Sequence, residues 1–121
     1  MIYAYIRVST DKQTVENQRY EILKYSSSKR IHVDDWIEEI VSGSKRPEDR
    51  KLGNVLTGLK KNDILIVREL SRLGRNLMKV MSILHICMQK ECKVFAIKEG
   101  YELGNNIYSK VLALLFPFQL R

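Results

Sequence analysis

Four short apolar runs, separated by stretches of helical length, constrain this chain more than any other feature. Ile2–Ile6, Ile64–Val67 and Val94–Ile97 each suit a buried strand. A fourth strand is expected within Ile31–Ile40, where Val33, Trp36, Ile37 and Ile40 supply the apolar content. Between the runs the period changes to that of a helix. Thr14 is placed to cap a helix running to about Ser26, with Val15, Ile22 and Leu23 on one face. Further helices are expected around Lys51–Lys60, from near Leu73–Asn76 to about Lys90, and over Asn105–Leu115. In the second of these Leu77, Val80, Met81, Leu84 and Met88 recur at helical spacing, which marks packing rather than a cofactor site. Val41–Arg50, with Gly43 and Pro47, reads as a polar loop. This alternation predicts an α/β fold, a mostly parallel central sheet of about four to five strands flanked by helices.

In such a sheet the loops at the carboxyl ends of the strands gather reactive groups. Two polar segments fall there. Arg7, Val8 and Ser9 close the first apolar run, and Ser71-Arg72-Leu73-Gly74-Arg75 follows Ile64–Val67. Each segment has a plain structural explanation by itself: Thr10 and Gln13 have capping-box spacing, and Gly74 suits a turn. Arg72 and Arg75, however, stand at the start of a helix, where cations are disfavoured unless a phosphate sits there. A serine hydroxyl is a weak nucleophile and a phosphodiester anion repels attack. Guanidinium groups address the second difficulty, because their planar fork stays protonated and donates two hydrogen bonds to phosphate oxygens.

The segments Tyr5-Ile6-Arg7-Val8-Ser9-Thr10 and Ser71-Arg72-Leu73-Gly74-Arg75 resemble the N-terminal catalytic domain of the serine recombinases, the family of resolvases and DNA invertases. The similarity runs from Met1 to about Leu114. The surrounding residues Glu69-Leu70-Ser71, Ile97-Lys98-Glu99 and Glu102-Leu103-Gly104-Asn105 look more like the invertase branch. The resemblance implies that Ser9 attacks a DNA phosphate, forms a 5′-phosphoserine link and releases a 3′-hydroxyl, with no cofactor. It assigns Arg7, Arg72 and Arg75 to the motif arginines and Gln18 to a glutamine near the site. Arg50 is the match for a loop arginine, with Arg46 competing for that role. Resolvases usually carry aspartate just before Arg-Leu-Gly-Arg; here Ser71 stands there, and its expected part is to orient Arg72 or a water.

The family normally continues into a long dimerisation helix and a helix-turn-helix domain. Here the sequence ends Leu114-Leu115-Phe116-Pro117-Phe118-Gln119-Leu120-Arg121, and Pro117 interrupts a helix at that point. The expected organisation is a catalytic domain over residues 1–115 with a tail over 116–121 in place of that helix, and no DNA-binding domain. Double-stranded DNA is the implied partner, engaged by a dimer or tetramer in the intact family protein. The alternative function is a catalytically silent fragment acting as an interaction module.

Charge agrees with a nucleic-acid partner. Of the net +7, residues 1–41 carry six Lys/Arg against seven Asp/Glu, whereas residues 42–79 carry ten against four. The excess therefore sits in the stretch that holds Arg50 and the Ser71–Arg75 motif. Cys87 and Cys92 form a lone Cys-x4-Cys, and His32 and His85 match no ligand pattern, so no metal site is expected. No apolar stretch is long enough to span a bilayer and no signal pattern opens the chain, which makes the cytoplasm the expected location. Neither a membrane nor a small-molecule substrate is expected as a partner.

Overall fold

The computed structural model describes residues 1–8, 12–40 and 51–104. The loop over 41–50 and the helix expected over Asn105–Leu115 lie outside the described residues, as do Ser9 and Thr10. The elements are β1 (Ile2–Val8), α1 (Lys12–Lys29), β2 (Asp35–Ile40), α2 (Lys51–Gly58) and β3 (Ile64–Val67). A single 3-10 turn (Leu70–Arg72), α3 (Leu77–Gln89), β4 (Lys93–Ala96) and β5 (Tyr101–Leu103) follow.

The sheet order is β2-β1-β3-β4-β5. β1 pairs in parallel with both β2 and β3, and β3 pairs in parallel with β4. β5 closes the edge antiparallel to β4. The fold is thus the mostly parallel α/β sheet expected. Interior strands of such a sheet are covered on both faces, which is why β1 and β3 read as continuous apolar runs. Alternate side chains divide between two cores. Ala4, Ile6, Val8 and Ile66 pack with Ile22 of α1 and Val33. Tyr5, Leu65 and Val67 pack with Leu52 and Leu56 of α2 and with Val80, Leu84 and Cys87 of α3. Ile22 is fully buried, so truncating it to alanine would cost about 2–5 kcal/mol.

Several local expectations need correction. α1 begins at Lys12, so Thr14 lies inside its first turn rather than at the cap. Leu23 is 48% exposed, because the buried face of α1 runs through Gln18, Ile22 and Ser26 at four-residue steps. Two of those three residues are polar, which hides the face from a search for apolar periodicity. Ile40 is exposed while Glu39 is buried, since Ile37 and Glu39 share the inward side of the edge strand β2. α3 starts at Leu77, with the Asn76 side chain accepting the Lys79 amide at 2.9 Å, and Leu77 itself is 38% exposed. The expected strand β4 leads to a hairpin that the sequence pattern does not announce. Its turn uses Gly100 at φ 73°, in the left-handed region that glycine tolerates best. Cys87 is buried as expected, and burial pushes its thiol up to about 12. No helix among the described residues is long and apolar enough to cross a membrane.

Candidate active site at the carboxyl edge of the sheet

β1 and β3 are adjacent and parallel, so their carboxyl ends reach the same edge of the sheet, with Tyr5 opposite Val67. Beyond that pair β1 supplies Arg7, and the chain after β3 turns through Leu70–Arg72. The two segments are tied in both directions. Arg7 Nη2 donates to the Ser71 carbonyl at 2.8 Å, and Arg72 Nη1 donates to the Arg7 carbonyl at 3.2 Å. Gln18, on α1 and almost wholly buried, donates Nε2 to that same Arg7 carbonyl at 3.2 Å.

Unused hydrogen-bonding capacity remains in this cluster. Arg72 Nε and Gln18 Oε1 are buried and have no hydrogen-bond partner among the described residues. Burying an unsatisfied donor or acceptor costs about 1–3 kcal/mol, so these atoms favour a partner from beyond the described residues. One is a donor suited to an anion, the other an acceptor suited to a hydroxyl. Val8, the residue that ends β1, immediately precedes Ser9.

A ring of charge surrounds the cluster. Glu69 Oε1 accepts from Arg72 Nη2 at 2.9 Å and from Arg68 Nη1 at 3.2 Å, while its Oε2 faces Lys98 Nζ at 3.3 Å. Burial alone would raise the Glu69 carboxyl, but the Lys98 hydrogen bond and the charges of Arg72, Lys98 and Arg68 outweigh it. Its pKa is therefore held below the usual range. Arg68 also bonds Glu21 of α1 at 2.8 Å, and Glu99 Oε2 accepts the Leu70 amide at 3.0 Å. The 3-10 turn is thereby fastened to α1 on one side and to the β4–β5 connection on the other.

Gly74 has a specific reason to be glycine. A Cβ there would lie 2.6 Å from Lys79 Cβ and 2.9 Å from the Val80 backbone nitrogen. The turn can approach α3 this closely only without a side chain. Arg75, one residue on, is exposed and lines a groove of 290 Å³ with Ser71, Leu77 and Tyr101. The structure therefore brings together Arg7, Gln18, Arg72 and the Ser71 backbone. Among the described residues no bond joins Arg75 to them, and the Ser71 contribution seen is its carbonyl rather than its hydroxyl. Ser9, Arg46 and Arg50 lie outside the described residues.

Two carboxylates at this edge were not singled out by sequence reasoning. Glu69 is one. Glu39 is the other: it accepts the Tyr5 hydroxyl at 2.6 Å and the Lys51 amide at 2.8 Å. It thus fixes the residue directly after Arg50. The signal available was a charged residue two positions after Ile37, on the inward register of a strand.

Comparison with known proteins bears on the family and the fold. Residues 2–117 match the family model described as Resolvase, N terminal domain. The chain is 36% identical over 100 residues to the Transposon Tn2501 resolvase of Escherichia coli, covering 82% of this chain and 50% of that protein. It is 38% identical over 100 residues to the serine recombinase PinR of Escherichia coli K12, with the same coverage of 82% and 50%. The chain thus spans about half the length of these curated relatives. In three dimensions it resembles the N-terminal catalytic domain of TP901-1 integrase, with a TM-score of 0.74 at 22% identity, covering 98% of this chain and 93% of that one.

Proposed function

Because the chain belongs to the resolvase N-terminal domain family, we propose that it cleaves and rejoins double-stranded DNA by site-specific recombination, using Ser9 as the nucleophile. The observation that carries this reading is the two-way tie between Arg7 and the Ser71–Arg72 turn, which gathers guanidinium groups next to the strand that leads into Ser9.

In the proposed reaction the Ser9 oxygen attacks a backbone phosphorus. The Ser9 hydroxyl gives up its proton as the serine–phosphate ester forms, the bond to the 3′ oxygen breaks, and the leaving 3′ oxygen takes up a proton, so the step is neutral in protons overall. Attack by a 3′-hydroxyl on the phosphoserine reverses the step, so the number of phosphodiester bonds is conserved and no nucleotide is consumed. Arg7 and Arg72 hold the charge that grows on the phosphoryl oxygens. Arg72 Nε is the donor left for that purpose, and Gln18 Oε1 is the acceptor left for a hydroxyl. Arg75, exposed beside the turn, and Arg50 or Arg46, from the loop before α2, complete the cationic lining. Each well-placed donor is worth about 3 kcal/mol in the transition state. The Ser71 hydroxyl has the smaller task of orienting water or Arg72. Synapsis of two DNA sites needs several copies of the protein, so a dimer or tetramer on DNA is part of the proposal.

The test is incubation with nicked or supercoiled DNA carrying a crossover site, followed by denaturing electrophoresis. A covalent protein–DNA adduct that disappears in Ser9→Ala supports the reading. A folded protein that neither binds DNA at low salt nor forms an adduct would assign it to a silent interaction module instead.

A further inference from the structure

Arg72 is a useful phosphate ligand only if its planar group faces one way. Arginine has many rotamers, and an exposed one would spend little time in any productive pose. Here both terminal nitrogens are occupied: Nη1 by the Arg7 carbonyl at 3.2 Å and Nη2 by Glu69 Oε1 at 2.9 Å. Two bonds at opposite ends of a rigid plane leave Nε pointing in a single direction. That third donor is buried and has no partner among the described residues.

We infer that Glu69 is a positioning residue for the recombination chemistry, holding the Arg72 guanidinium so that its Nε–H is presented to the reacting phosphate. The inference rests on the reading given under Proposed function. The Glu69 side chain is 14% exposed, whereas Lys98, which also approaches it, is 66% exposed. Arg68 has a second carboxylate in Glu21. Arg72 has only Glu69 among the described residues, and the residue directly before it, Ser71, brings no charge. The carboxylate thus has two effects that differ in sign. It fixes one arginine for catalysis, and it subtracts from the positive field that attracts DNA.

Those opposite signs give the test. Wild type, Glu69→Gln, Glu69→Asp, Arg72→Ala and Ser9→Ala are incubated with a pool of nicked duplex oligonucleotides, and DNA affinity and adduct rate are measured separately. Glu69→Gln should slow adduct formation roughly 10- to 100-fold. Its DNA affinity should be unchanged or higher, because one negative charge is gone. Glu69→Asp should recover part of the rate. On 15N-labelled protein the Arg72 side-chain resonances should show hindered rotation in wild type and faster rotation in Glu69→Gln. An adduct rate equal to wild type in Glu69→Gln, with Arg72→Ala and Ser9→Ala inactive, overturns the positioning role and leaves the recombinase reading intact. A Glu69→Gln defect that follows lost DNA affinity or lost folding also overturns it. Absence of any adduct with wild type removes the reading itself, and this inference with it.

Discussion

Arg7 and Ser71, sixty-four residues apart in sequence, are joined by a 2.8 Å bond from the guanidinium of one to the carbonyl of the other. The return bond from Arg72 to the Arg7 carbonyl makes the connection a clasp, and it forms only when β1 and β3 lie side by side. The geometry of this cluster and the assembly of the sheet are therefore coupled.

Arg72→Ala removes a donor to the Arg7 carbonyl and the Glu69 ion pair together. The expected result is a 10²- to 10³-fold loss of adduct formation, of the order found when one transition-state donor is deleted. Arg72→Lys should recover little, because an ammonium cannot bond Arg7, Glu69 and a phosphate from three fixed corners. Quenched-flow sampling of the adduct distinguishes these outcomes; full activity in the lysine variant would contradict the geometry.

Gly74→Ala places a methyl group 2.6 Å from Lys79 Cβ and 2.9 Å from the Val80 nitrogen. The second contact is with helix backbone, which cannot swing aside. Overpacking of this kind costs about 1–3 kcal/mol, and at this chain length each kcal/mol corresponds to a fall in melting temperature of about 4 °C. Calorimetry on the purified variant measures it, and an unshifted melting temperature would show that the turn can withdraw from α3.

Glu39→Ala leaves a buried tyrosine hydroxyl and the Lys51 amide without their carboxylate. The expected destabilisation is about 2–4 kcal/mol, since two hydrogen bonds to a charged acceptor are lost. Tyr5→Phe in the same background should cost much less than it does in wild type, which a double-mutant cycle by urea unfolding would detect. Additive costs would mean that the two side chains act independently.

Acid should weaken the fold. Glu69, Asp63 and Glu102 are all held below their ordinary values. For Asp63, burial pushes upward but the Met1 ammonium and the Lys60 amide prevail; for Glu102, the Tyr25 hydroxyl acts first and Lys29 second. A carboxyl with a depressed folded pKa binds protons less readily than in the unfolded chain. Its stabilisation is complete above the unfolded value, 3.8 for Asp and 4.5 for Glu, and is lost as pH falls through the folded value. On the basic side the Met1 amine is raised above 8.0, so its contribution is present below pH 8.0 and fades as pH climbs through the folded value. Melting temperature against pH should therefore be flat between about 5 and 8 and decline below about 4.5. A melting temperature that climbs on acidification would refute the assignment.

The interior of the sheet was legible in the sequence because a strand buried on both faces has no choice but to be apolar. Ile64–Val67 has the limits read from its residues. The edges were not legible. β5 is three residues long with an exposed Glu102, too short and too polar to announce itself, and β2 turns a glutamate inward. At the site, Arg7 and Arg72 were singled out because motif and strand order agreed, and Gln18 because the family resemblance assigns it; the structure brings the three together. Glu69 and Glu39 were missed because a charged residue ordinarily marks a wetted surface. Their roles depend on neighbours supplied by distant parts of the chain, and periodicity carries no trace of them.

The clasp between the first strand and the turn after the third has a consequence during synthesis. A ribosome releases the N-terminal serine long before it releases Arg72, so the growing polypeptide exposes an ordinary, unreactive alcohol for most of its elongation. Under the proposed function, the capacity to cleave DNA is acquired only once β3 and the turn after it lie beside β1.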